Sequence, residues 1–210
     1  GYAVRTIYVV WEEPGTSGGI KLAVAQYDER DGKGRPWPPQ ASWLDWITTT
    51  PVTIIANAGT STNISPNVVI DGNGNAAIAW VQNSSTASNV KFQKRILANL
   101  ITGSDQQFTM ASGVIASAPS LTSHRYDGTN TNNMELAWAL SSGGVACALF
   151  NGSTWSSPFL LSPSGEAVSL SESKVGGPAR YAIYLTSSGP LYSINSKYIA
   201  APITLSSPVT

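Results

Sequence analysis

Cysteine, histidine and charge are all scarce in this chain. Its 210 residues hold one cysteine, Cys147, set in the apolar run GVACALF. One cysteine makes no internal disulfide, no CxxC redox pair and no cysteine-rich metal cluster. In an apolar run it reads as a small buried strand residue. There is one histidine, His124, and no G-x-S-x-G motif, so a nucleophilic triad finds a single candidate base and no nucleophile elbow. Charged residues make up 11%, with twelve basic side chains against twelve acidic, well below the roughly 25% usual for soluble domains. No basic run exists, and nucleic-acid binding through phosphate neutralisation needs one. The densest charge, DERDGKGR at 28–35, mixes its signs and reads as a solvated hairpin tip. No run of 18 apolar residues occurs, so no transmembrane helix is predicted. No phosphate loop or dinucleotide fingerprint occurs either: GTSGG at 15–19 leads into a strand pattern and reads as a hairpin turn. No cofactor is expected.

Hydrophobic residues make up 42%, and Ser, Thr, Asn and Gly fill most polar positions. That usage suits a β protein with many turns, and an exported one, in the extracellular space or cell envelope. The chain opens GYAVRTIYVVWEE, directly on a strand pattern, so no signal peptide is expected in it. Asn-x-Ser triplets at Asn63, Asn83 and Asn151 indicate exposure at most. Helix signals are poor. No segment of 12 residues carries a sustained 3.6-residue apolar stripe with caps, and WLDWI at 43–47 suggests one helical turn, no more.

Internal repetition is the main signal. An alternating apolar run ending in an aromatic recurs as TIYVVW at 6–11, AAIAWV at 76–81, MELAWAL at 134–140 and RYAIYL at 180–185. A Pro or Gly followed by a short apolar run recurs as TPVTIIA at 50–56, SGVIA at 112–116, SPFLLS at 157–162 and APITLS at 201–206. A third run precedes the aromatic one: SPNVVID at 65–71, APSLTSH at 118–124 and AVSLSES at 167–173. Between them lie IKLAVAQY at 20–27, VKFQKRIL at 90–97, VACALF at 145–150 and PLYSINS at 190–196, all bounded by turn residues. Each unit therefore predicts four short antiparallel strands, A to D, with the aromatic on B. The expected fold is all-β, a single domain over 1–210 with units at about 1–60, 61–116, 117–165 and 166–210. The first unit begins at B and lacks the innermost strand A. Small and apolar residues on both faces of B, as in AAIAW, require sheets stacked on both sides.

Pro66 to Trp80 follow P-x-V-x-x-D-x-x-G-x-A-x-x-x-W, and Phe150 to Pro158 read FNGSTWSSP. In these motifs the chain resembles the β-propeller superfamily, nearest to sialidase-like and bacterial exported propellers. The resemblance implies about four four-stranded blades, part of a larger ring or array. It also implies a search for three carboxylate-clamping arginines, a Tyr/Glu nucleophile pair and an acid. The arginines, Arg5, Arg30, Arg35, Arg95, Arg125 and Arg180, do not recur at fitting blade positions, and the S-x-D-x-G-x-T-W box survives only as the echoes DGKGRPW at 31–37 and NGSTW at 151–155. A two-carboxylate glycosidase would draw on Glu12, Glu13, Asp45, Asp127 and Glu135.

DGNGN at 71–75 resembles the start of a calcium loop, but the Gly and Glu required at the sixth and twelfth positions are Ala76 and Gln82. The A–B turn accounts for the same residues, and no metal site is expected. The leading ligand surface is WPPQASWLDW at 37–46, where Trp37, Trp43 and Trp46 lie beside Asp45. Aromatic faces of this kind stack on sugars, and between blades they equally serve as core. The second is HRYDG at 124–128, with His124, Arg125, Tyr126 and Asp127 on one turn. The expected function is a non-catalytic binding or scaffold module, with a carbohydrate-binding or sialidase-like fragment as the alternative. The expected partners are a glycan or a protein, without nucleic acid or a membrane span, and self-association through open blade faces.

Overall fold

Alternating apolar side chains bounded by Gly, Asn and Ser give strands wherever the chain is regular. The computed structural model describes residues 4–28, 44–46, 51–84, 87–96, 99–109, 115, 117–124, 132–173, 179–186 and 189–195. Among these are fifteen strands and no helix. Sheet I comprises β1 (Val4–Glu13), β2 (Gly19–Asp28), β3 (Leu44–Trp46) and β4 (Val52–Ala56). Sheet II comprises β5 (Thr62–Ile70), β6 (Ala76–Asn83), β7 (Ser88–Ile96) and β8 (Asn99–Thr109). Sheet III comprises β9 (Ser120–Ser123), β10 (Met134–Ala139), β11 (Val145–Phe150) and β12 (Phe159–Ser162). Sheet IV comprises β13 (Ala167–Ser173), β14 (Ala179–Thr186) and β15 (Gly189–Asn195). Every pairing is antiparallel, and in sheets II, III and IV strands adjacent in sequence are adjacent in the sheet.

Strand position B is β1, β6, β10 and β14, and position A is β5, β9 and β13. Sheet I has no strand on the outer edge of β1 among the described residues. Its β3 and β4 both pair with β2, β3 along Ala25–Tyr27 and β4 along Gly19–Leu22, so together they fill one strand position. Two expectations change here. WLDWI holds no described helical turn, because Leu44–Trp46 pairs as a strand with β2. The fourth strand of sheet II is β8, not SGVIA, of which Ile115 makes an isolated bridge to Leu140 of the next sheet. The interior Gly103, Ser104 and Asp105 hide β8 from a pattern search, yet β7 pairs with Gly103 to Thr109 and, past a register shift, with Asn99. APITLS at 201–206 lies outside the described residues.

The four sheets stack face to face in chain order. Ile20, Leu22, Val24 and Ile54 of sheet I meet Ala76, Ile78 and Trp80 of β6. The alternate residues of β6, Ala77 and Ala79, join Val90 and Phe92 of β7 against Met134, Leu136 and Trp138 of β10 and Ala146, Ala148 and Phe150 of β11. Ala137, Val145, Cys147 and Leu161 then meet Leu170 of β13. Side chains alternate across a strand, so β6 and β10 contribute to two cores each. Burial of each large side chain is worth about 1.5–3 kcal/mol.

Turns and side-chain bonds fix the register. At the β1–β2 turn Gly18 N–H donates to the Gly15 carbonyl at 3.0 Å. Gly19 follows at φ 136°, and a Cβ there would strike the Ile55 carbonyl oxygen of β4. A bulge in β5 holds Ser65 at φ 54°, and its N–H donates to Glu12 Oε2 of sheet I at 2.8 Å. Asn63 locks sheet I to sheet II. Its Oδ1 accepts from the Trp80 indole at 3.0 Å, its Nδ2 donates to the Ala56 carbonyl at 3.2 Å, and its N–H donates to Asn57 Oδ1 at 2.8 Å.

Asn63→Ala removes the acceptor of a buried indole N–H. It is expected to lower the unfolding free energy by about 1–3 kcal/mol in urea titrations. The further loss on Trp80→Phe should be smaller in the Asn63→Ala background than in the native chain.

Candidate functional site

Two buried polar clusters hold most of the chemistry-bearing side chains described. The first is built on the turn between β5 and β6. Asp71 N–H donates to the Asn75 carbonyl, and Gly74 N–H to the Asp71 carbonyl, both at 3.0 Å. The positive φ of Gly74, 83°, lets this tight turn form. Asp71 Oδ1 accepts the N–H groups of Asn73 and Asn75, both at 2.9 Å. Its Oδ2 accepts Asn75 Nδ2 at 3.1 Å and meets Lys94 Nζ at 2.5 Å, although the carboxylate is wholly buried. Lys94 reaches it because it stands opposite Ala77, one β-strand away in the register of β7 against β6.

Burial alone would raise the Asp71 carboxyl. The Lys94 hydrogen bond, the two bonds from Asn75 and the ammonium charge outweigh it, and the group sits below its ordinary value. Tyr8 donates its hydroxyl to the Gly74 carbonyl at 3.1 Å. Its phenol is pushed up, first by burial and then by the Asp71 charge. The arrangement is a hairpin lock. A divalent cation would have to displace the Lys94 ammonium, and the Asp71 oxygens are already committed to four donors. Among the described residues no three His, Cys, Asp or Glu side chains cluster in a way that could hold a metal ion. Asn151 repeats the device with an amide: its Oδ1 accepts Ser153 N–H at 3.0 Å and Thr154 N–H at 2.9 Å in the NGSTW turn.

The second cluster lies in sheet III. His124 is 3% exposed and Glu135 0% exposed, with Nε2 and Oε1 3.5 Å apart. Strand register sets this up: Glu135 pairs with Thr122 of β9, and the His124 N–H donates to the Asn133 carbonyl at 2.9 Å where the two strands part. Cys147 sits one row along, opposite Ala137, with Ser120 on the other side of Ala137. Burial pushes the Cys147 thiol far up, and the Glu135 charge adds to it. Both causes favour the protonated thiol over the thiolate, the form that reacts. Ser120 Oγ accepts the Leu170 N–H at 2.8 Å and ties sheet III to sheet IV.

The expected ligand residues are distributed as follows. Asp45 and Trp46 share β3 at the edge of sheet I, paired with Gln26 and Ala25. His124 lies at the end of β9, buried in sheet III. Trp37, Trp43, Arg125, Tyr126 and Asp127 lie outside the described residues. Of the carboxylates considered for glycoside hydrolysis, the three with described side chains lie apart: Glu12 accepts the Ser65 N–H, Glu13 pairs with Lys21 at 3.0 Å in sheet I, and Glu135 is buried in sheet III. Asn63, one of the three sequon asparagines, is buried. The Asp71–Lys94 and His124–Glu135 pairs join residues distant in sequence, so only register brings them together. The turn motif at Asp71 and the HRYDG stretch at His124 each mark one member of a pair in the sequence.

A carboxyl depressed in the folded state stabilises above its unfolded pKa, about 3.9, and that contribution is lost as pH falls through the folded value. Unfolding free energy is therefore expected to hold above about pH 5 and to fall in the acid range below about pH 4. Asp71→Asn should reduce that acid slope and cost about 2 kcal/mol or more at neutral pH, because Lys94 loses its counter-charge. Urea titrations across pH check both. In comparisons with known proteins, no family model and no curated protein matches this chain.

Proposed function

We propose that the chain is a non-catalytic binding or scaffold module of an exported protein, built as a propeller-like array of blades. What carries this reading is the use to which three reactive groups among the described residues are put. The Asp71 carboxylate is neutralised by Lys94 and saturated by turn donors. The Cys147 thiol is held protonated inside a sheet–sheet core. His124 and Glu135 are buried against each other. A general acid or base needs a path to substrate, and these groups serve the interior instead. The propeller-like reading is supported by the serial stack of antiparallel sheets and by contacts of β5 with β9 and β9 with β13, which bring the A strands together along one side.

A second reading, carbohydrate binding, is favoured by one observation. β3 places Asp45 and Trp46 on the edge of sheet I, within the Trp-rich stretch 37–46. An edge strand keeps one side open to a partner.

Two assays test the readings together. The chain is expected to show no turnover on a panel of fluorogenic sialosides and neutral glycosides; turnover abolished by Glu135→Gln in a protein of unchanged melting temperature overturns the non-catalytic reading. On a glycan array, binding lost in Trp46→Ala with unchanged stability supports the sugar-binding reading, and absence of binding by the native chain removes it.

A further inference from the structure

The chain contains two Asn-Gly pairs, Asn73–Gly74 and Asn151–Gly152. Such a pair can react with itself. The glycine nitrogen gives its proton to solvent and bonds to the asparagine Cγ, closing a succinimide ring. The Cγ–Nδ2 bond breaks, and the side-chain nitrogen leaves as ammonia. Water then opens the ring to aspartate or isoaspartate. The attack needs an uncommitted glycine N–H and a stabilised Oδ1, because that oxygen takes on negative charge. The two pairs differ on both counts. At Asn73 the Gly74 N–H is held by the Asp71 carbonyl at 3.0 Å, and among the described residues no donor reaches Asn73 Oδ1. At Asn151 the reverse holds. Its Oδ1 accepts the Ser153 N–H at 3.0 Å, the Thr154 N–H at 2.9 Å and the Thr154 hydroxyl at 3.4 Å. Among the described residues the Gly152 N–H has no acceptor, and Asn151 itself is exposed.

Hydrogen bonds to an ionised acceptor are roughly twice as strong as those to a neutral one. The donors on Asn151 Oδ1 therefore hold the tetrahedral oxyanion more tightly than the starting amide, as the donors of an oxyanion hole do. We propose that Asn151 is a site of spontaneous modification, converted to isoaspartate with the help of its own turn, and that the conversion loosens the seam between sheets II and III. Isoaspartate carries the main chain through Cβ and adds one atom to it at this point. The Asn151 N–H bond to the Thr154 carbonyl, 3.1 Å, and the bridge between Phe150 and Trp155 both span that point. Trp155 in turn packs edge-on against Phe92 of sheet II, ring centroids 4.9 Å apart, and lies 5.0 Å from Phe150. A change at an exposed hairpin thus reaches an aromatic contact between two sheets. The chemistry is independent of the function proposed above.

Timed incubation of the whole chain at mildly alkaline pH, followed by peptide mapping with mass spectrometry, tests this. Conversion is read as the mass gain of exchanging an amide for a carboxyl, with isoaspartate separated from aspartate by chromatography. In the folded chain Asn151 is expected to convert severalfold faster than Asn73. Asn151 should also convert severalfold faster in the folded chain than in the same chain unfolded in guanidinium chloride, where the turn donors are gone. The isoaspartyl fraction should melt at a lower temperature than Asn151→Asp, which keeps the normal main chain. Equal or faster conversion at Asn73, slower conversion of Asn151 in the folded chain than in the unfolded one, or an isoaspartyl fraction as stable as Asn151→Asp overturns the proposal.

Discussion

The structure depends on the burial of β6 and β10 on both faces. Each strand gives alternate side chains to two different cores, so sheet II cannot lose its contact with sheet I without loosening its contact with sheet III. An isolated four-stranded sheet with apolar residues on both sides would expose one of them to water. Stacking in series removes that exposure at every interior seam and leaves it only at the ends. The choice of side chain follows from the same constraint. Where Ile78 and Trp80 fill the seam toward sheet I, the reverse face of β6 is Ala77 and Ala79, small enough to let β10 and β11 approach.

Polar groups serve this stack rather than compete with it. Asn63 satisfies the one N–H that Trp80 carries into the seam, and reaches back to the end of β4. Ser120 does the same between sheets III and IV through the Leu170 N–H, and Ser123 between III and II through the Ile70 carbonyl at 2.8 Å. Asp71 and Asn151 close hairpins from within by collecting turn N–H groups. Buried polar groups with partners cost little, whereas the same groups without partners would each cost about 1–3 kcal/mol. This explains how a chain with so few charges keeps its turns in register: short amides, hydroxyls and the Asp71–Lys94 ion pair do the work of long surface side chains.

Much of this was legible in the amino acids and part was not. The aromatic runs ending in Trp11, Trp80 and Trp138 marked strand B, because strict alternation and small residues on both faces leave few other structures. The A–B turn at Asp71 was legible because Gly and Asn at fixed offsets have one common use. Strand β8 was not, since Gly, Ser and Asp in its middle resemble a loop and only pairing with β7 makes them a strand. The short strand Leu44–Trp46 was not, because WLDWI has too few residues to separate the two periodicities. The Lys94 partner of Asp71 and the Glu135 partner of His124 depend on cross-strand register, which a linear pattern does not carry. Asn63 read as a surface sequon because the triplet says nothing about the side on which its strand is covered.

Native-state hydrogen exchange tests the double-sided burial of β6 and β10 most directly. If each strand is held by two cores, their amides form one slowest class, exchanging only with a free energy equal to that of global unfolding measured in urea, while β1 and the strands of sheet IV open more readily. If β6 and β10 instead exchange in separate classes, each through its own partial opening, the sheets are independent units and the stack is not the cooperative core described here.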